Sequence, residues 1–148
     1  MAEEEITAEE QIRQISEDIQ KAVQYAANLE VIRINRWIPW DDWKQKIGGL
    51  NTTTENLDLE PLEPGWLYIV NNLVGLETGS TPTRIALGYV RTGRFYIMEK
   101  SAPAAANSTV EYTGQLILHE GDVIRAQFIG ATASDTIEIF VNGYKIRP

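Results

Sequence analysis

Between Trp66 and Ile146 the sequence is a succession of short β-branched and aromatic runs cut by turn residues, and this punctuation restricts the fold more than any other feature. Trp66–Val74 is one such run. Thr83–Val90 alternates Ile85, Leu87 and Tyr89 with Arg84, Ala86 and Gly88, and Thr92-Gly93 turns it into Phe95–Met98. The small-residue loop Ala102–Ser108 precedes Thr109–Leu118, which Glu120-Gly121-Asp122 turns into Val123–Ile129. Thr136–Val141 then meets Asn142-Gly143, a strong hairpin signal, ahead of Tyr144–Ile146. Side chains alternating at period two, with turns at short intervals, predict a mainly β chain folded as an antiparallel β-sandwich or small barrel, the jelly-roll-like sandwich being the leading expectation.

The amino-terminal part has a different period. Thr7 followed by Glu10 is a capping-box pattern. From there Ala8, Ile12, Ile15, Ile19, Ala22, Ala26 and Leu29 recur at alternating spacings of four and three. That is a heptad seam, narrower than an ordinary amphipathic face. Its register next meets Arg33 and Arg36, so the helix is expected over Ala8–Leu29, about 33 Å long at about 1.5 Å per residue. Val31-Ile32-Arg33-Ile34 is expected to be extended. The oligomerisation seam is Ile12, Ile15, Ile19, Ala22, Ala26 and Leu29; it packs either on its own β domain or against copies of itself. Isoleucine at both a and d favours three or four helices over two.

Between helix and sandwich lies Arg36-Trp37-Ile38-Pro39-Trp40-Asp41-Asp42-Trp43, the densest aromatic cluster in the chain. Asp41 is expected to cap a short helix ending at Ile47, stopped by Gly48-Gly49. Residues 50–65 show no period and read as an extended arm. The organisation expected is thus a helix and start of arm (1–35), an aromatic-rich extended arm (36–64) and a β-sandwich (65–148). Trp37, Trp40 and Trp43 are assigned to docking the arm on the β domain or on a neighbouring subunit, as interfaces favour tryptophan. The rival role is a platform for sugar rings.

Chemistry has few footholds. His119 is the sole histidine and stands at a turn; no G-x-S-x-G elbow accompanies it. One histidine and no cysteine leave too few donors for zinc, and disulfides and thiol chemistry are excluded. Asp41, Asp42, Asp122 and Asp135 could pair as acid and base, but each occupies a cap or turn niche. No calcium-loop pattern occurs, and Gly79-Ser80-Thr81-Pro82 lacks a phosphate-loop lysine. The expectation is no catalytic residue, no metal and no cofactor. A formal charge of −8 argues against nucleic acid and against an anionic membrane surface. The acidic start Met1-Ala2-Glu3-Glu4-Glu5 is unlike a cationic leader, and no apolar run nears the roughly 18 residues of a membrane span. Asn51-Thr52-Thr53 and Asn107-Ser108-Thr109 are read as loop chemistry in a protein made in the cytosol.

The stretch from Thr109 through Gly114-Gln115-Leu116-Ile117-Leu118-His119-Glu120-Gly121-Asp122-Val123-Ile124-Arg125-Ala126-Gln127-Phe128, then Gly130-Ala131-Thr132-Ala133-Ser134-Asp135 and Ile139-Phe140-Val141-Asn142-Gly143-Tyr144, resembles small β-sandwich virion proteins of tailed bacteriophages. The segment is similar to capsid cement (decoration) proteins and to head-fibre or tail accessory modules, a phrasing that many jelly-roll domains share. The resemblance implies a structural virion protein, assembled in the host cytoplasm and carried on the capsid surface. Its partners would be copies of itself, in a homotrimer, and a major capsid protein or other virion protein. A receptor- or carbohydrate-binding module is the alternative.

Overall fold

The computed structural model describes the backbone of residues 7–35 and 37–148, and the side chains of 7–27 and 37–148. The chain divides into two compact units, 1–37 and 38–148. The first is the helix α1, Ala8–Asn35. Its start is reciprocal: the Glu10 amide donates to Thr7 Oγ1 (3.3 Å) while the Thr7 amide donates to Glu10 Oε2 (3.2 Å). Glu9 and Glu10 in the first turn suit the positive end of the helix dipole.

The second unit contains eight antiparallel strands: β1 Ile38–Ile47, β2 Thr54–Asp58, β3 Leu67–Thr78, β4 Arg84–Arg91, β5 Arg94–Ser101, β6 Thr109–Leu118, β7 Val123–Ile129 and β8 Thr136–Ile146. They form two four-stranded sheets, ordered β1-β8-β3-β6 and β2-β7-β4-β5. The pairing is nested: β1 with β8, β2 with β7, β3 with β6 and β4 with β5. This is one long antiparallel hairpin of chain rolled up until β8 also meets β3 and β7 meets β4. Such a rolled hairpin is a jelly roll, and the expected β-sandwich with one helix is the fold observed.

Alternate residues of each sheet face the other. Leu73, Ile85, Leu87, Leu118, Ile124, Phe128, Ile137 and Ile139 are all fully buried there. At the β4–β5 hairpin, Thr92 (φ 53°) and Gly93 (φ 74°) both adopt left-handed conformations, as a type I′ turn requires.

Four expectations are corrected. The helix does not stop at Leu29 but runs on to Asn35. β-Branched residues weaken a helix by only a few tenths of a kcal/mol each, and nothing in Val31–Ile34 breaks one. The expected short helix after Asp41 is instead the edge strand β1, where Pro39 is tolerated because an edge needs no second ladder partner. Of the expected arm over 36–64, residues 38–64 are built into the sandwich: they supply β1, β2 and the buried Leu50, Leu57, Leu59 and Leu62. Finally, Asn142-Gly143 makes no turn, for β8 passes straight through it between β1 and β3. Gly143 is needed there for another reason. At a bulge in β3 between Val70 and Asn72, the backbone of Ile69 comes so close that an added Cβ would overlap its carbonyl oxygen.

Candidate functional site

In β1 the even-numbered residues point into the sandwich and the odd-numbered ones point out. Lys44 Nζ donates to the Asp58 carbonyl (2.9 Å) and Lys46 Nζ to Glu55 Oε1, both on β2 of the opposite sheet. Trp40 shares this inward side. Paired with Gly143, it meets no side chain on β8 and reaches Tyr68 on β3, edge to face at 4.9 Å. Trp43 lies on the other side, 51% exposed. Trp37 is half-buried and belongs to the first unit. Trp40 and Trp43 therefore do not form one platform.

Register through four strands gives the outer face of the first sheet an ordered pattern. One row is apolar, Pro39–Tyr144–Ile69–Ile117. The next is polar, Asp41–Asn142–Asn72–Thr113, in which Asn72 Nδ2 donates to Asn142 Oδ1 (2.9 Å) and Thr113 Oγ1 donates to Asn72 Oδ1 (3.3 Å). A second row begins Trp43–Phe140–Val74 and ends at Glu111. Tyr144, Ile117, Trp43 and Phe140 are 38–58% exposed. Exposed apolar side chains gathered on one sheet face in this way make that face a candidate contact surface for a partner or ligand. A groove of about 330 Å³ opens beside the polar row, lined by Pro39, Trp40, Asp41, Asn71, Asn142, Gly143 and Tyr144. It offers the Tyr144 ring, two amides and a carboxylate.

On the helix, Ile12, Ile15 and Ile19 are 67%, 59% and 59% exposed, and Ala22 and Ala26 are exposed with them. Val23 adds a further exposed apolar side chain next to this stripe. Leu29, the last seam position, has its side chain outside the described residues.

The ionisable groups are mostly engaged in structural work. Asp122, 1% exposed, accepts a bidentate hydrogen bond from Arg91 (2.8 and 2.7 Å) and another from the His119 amide (3.0 Å). Burial pushes its carboxyl up, but the Arg91 and His119 hydrogen bonds and charges outweigh that and hold it below the usual carboxylate range. His119 itself is turned to solvent, its Nδ1 3.2 Å from the Glu120 carbonyl. Asp58 and Arg125, directly paired across β2 and β7, form a second bidentate bridge at 2.7 and 2.9 Å. Glu55 is held below its ordinary range, first by the Lys46 hydrogen bond and then by the Asn51 amide. Asp42 accepts from the amide of Trp43 (2.8 Å), while Asp41 belongs to the outer polar row.

At the tip of the β4–β5 hairpin four side chains stack. Tyr89 and Tyr96 are parallel at 5.2 Å, with Arg91 over the first ring (5.0 Å) and Arg94 over the second (5.2 Å).

Asp135 has a partner that sequence reasoning missed. Glu77, at the end of β3, lies against it and is 1% exposed. Burial first, and then the nearby Asp135 carboxyl, push Glu77 above its ordinary range although the Thr132 amide donates to it (2.9 Å). Among the described residues there is no cluster of three or more histidine, aspartate or glutamate side chains disposed to hold a metal.

No protein-family model matches the chain, and no curated protein matches it. Among solved structures the chain is similar to one described as "CBM4 structure and function", with 13% identity over 74% of this chain and 92% of that one and a TM-score of 0.31. It is also similar to the dimeric latent PorU from Porphyromonas gingivalis, with 9% identity over 73% of this chain and a TM-score of 0.32, spanning 13% of the PorU chain. At such identities and scores neither likeness bears on function.

Proposed function

We propose that the protein is a structural assembly protein, whose helix associates with copies of itself and whose jelly roll presents the outer face of its first sheet to a partner. One observation carries this reading: Ile12, Ile15 and Ile19 stand 59–67% exposed at heptad spacing. Burying such a side chain is worth about 1.5–3 kcal/mol, so a bare stripe of them favours association. Isoleucine at both seam positions selects a trimer or tetramer over a dimer. Three or four tethered copies would then strengthen individually weak surface contacts through effective concentration.

Within this class the protein is read as a virion surface protein of the capsid cement type, the role implied by the resemblance of its C-terminal segment. The fold does not choose by itself, because viral capsid proteins and lectins both use jelly rolls. Sedimentation equilibrium tests the assembly. The wild-type chain is expected to run as a trimer or tetramer at micromolar concentration, and Ile15→Asp or Ile19→Asp as a monomer with unchanged β-sheet circular dichroism. A monomeric wild type would sink the proposal. Co-sedimentation with virus particles, abolished by Trp43→Ala and Phe140→Ala together, tests the finer reading.

The groove supports a second reading, as a carbohydrate-binding module. Tyr144 would meet the apolar face of a sugar ring while Asn71, Asn142 and Asp41 bind its hydroxyls. A glycan array separates the two, since saccharide binding lost in Tyr144→Ala would favour this alternative.

A further inference from the structure

The ends of β3 and β8 bring two acidic side chains together beside the turn that joins β7 to β8. Glu77 Oε1 accepts from the Thr132 amide, but its Oε2 is buried and receives no hydrogen bond. Asp135 Oδ2 is likewise buried and without a donor. Two unpartnered acceptors on neighbouring carboxyls in a chain of net charge −8 are costly unless a shared proton or a metal cation lies between them.

The surroundings are fixed by backbone. The Asp135 amide donates to the Thr132 carbonyl (3.0 Å), closing the turn. Gly48 donates to the Asp135 carbonyl (2.9 Å) and Leu50 to that of Ala133 (3.1 Å), so the segment following β1 clamps the same turn from the other side. Gly79, at φ 112°, brings the backbone so near that a Cβ there would lie 2.6 Å from Asp135 Oδ1. Glu77 is held rigidly inside, whereas Asp135 is only half-buried, leaving a route from solvent.

We propose that Glu77 and Asp135 form a binding site for a hard divalent cation of the calcium class, which ties the end of β3 to the start of β8. Oxygen-only donors suit calcium, whose flexible shell accepts two carboxylates completed by backbone carbonyls and water; magnesium, which demands a near-ideal octahedron, is the poorer fit. With two carboxylates the affinity belongs to the weak class, about 10⁻⁴–10⁻³ M.

Calorimetric titration of the unmodified protein with calcium chloride, and its thermal unfolding in calcium or in chelator, tests the site. Saturable binding and a melting midpoint that climbs with calcium, and much less with magnesium, are expected. Glu77→Gln and Asp135→Asn should each weaken calcium by at least about tenfold, as loss of a ligand charge does. An identical midpoint in calcium and in chelator, with no heat of binding, would mean that the two carboxyls share a proton and would overturn the proposal. So would variants that keep the full calcium response, because the ion would then sit elsewhere. The unmodified protein decides the matter even if neither variant folds.

Discussion

Asp122 shows how one buried charge holds a corner of the sandwich: it links Arg91 at the end of β4 to the turn before β7. Asp122→Ala leaves the Arg91 guanidinium without its partner and the His119 amide without an acceptor. A loss of about 3 kcal/mol is expected, at the low end for buried pairs because Arg91 is one-third exposed. The depressed pKa also sets a pH dependence. Asp122 stabilises the fold fully above the unfolded carboxylate pKa, and that contribution disappears as pH falls through its lower folded value. Urea unfolding between neutral and acid pH should therefore show a steeper acid loss in the wild type than in Asp122→Asn. Gly143 is a second critical single position. Gly143→Ala forces a methyl group into the Ile69 backbone, and a loss of at least about 1–3 kcal/mol is expected in the same measurement.

Among the elements, those written in plain alternation were legible. β6 and β7 begin and end where the sequence places them, because Val110, Leu118, Ile124, Ala126 and Phe128 fall on one side and Gly121 marks the turn. β1 was hidden by its tryptophans. Their spacing of three suggested an irregular arm, yet Trp40 and Trp43 simply face opposite sides of one strand. β2 is too short at five residues to display a period, and the leucines around it enter the core from loops. Asn142-Gly143 misled because its turn chemistry is local, whereas β8 is held by partners distant in sequence on both flanks. Paired substitutions expose the two faces of β1. Trp40→Ala should lower stability by about 3 kcal/mol through lost packing on Tyr68, while Trp43→Ala should change it by less than about 0.5 kcal/mol, both read by chemical denaturation.

At the scale of the whole molecule, the helix and its exposed isoleucine stripe could be read from one segment alone, but the rows on the outer face could not. They exist only once the register of β1, β8, β3 and β6 is known, and no local pattern ties Asp41 to Asn142 or Ile69 to Ile117. The Glu77–Asp135 pair escaped notice for the same reason. The division into two units makes a direct prediction. A fragment of residues 38–148 should unfold cooperatively near the temperature of the full chain and sediment as a monomer. The nesting of the strands also bears on biosynthesis. β8, synthesised after the other seven strands of the sandwich, occupies the middle of its sheet, between the first strand and the third. Until it emerges, β1 has no neighbour to pair with and its hydrophobic residues wait uncovered, so a nascent chain cut short before Thr136 is left with an unfilled slot and exposed to aggregation or to chaperones.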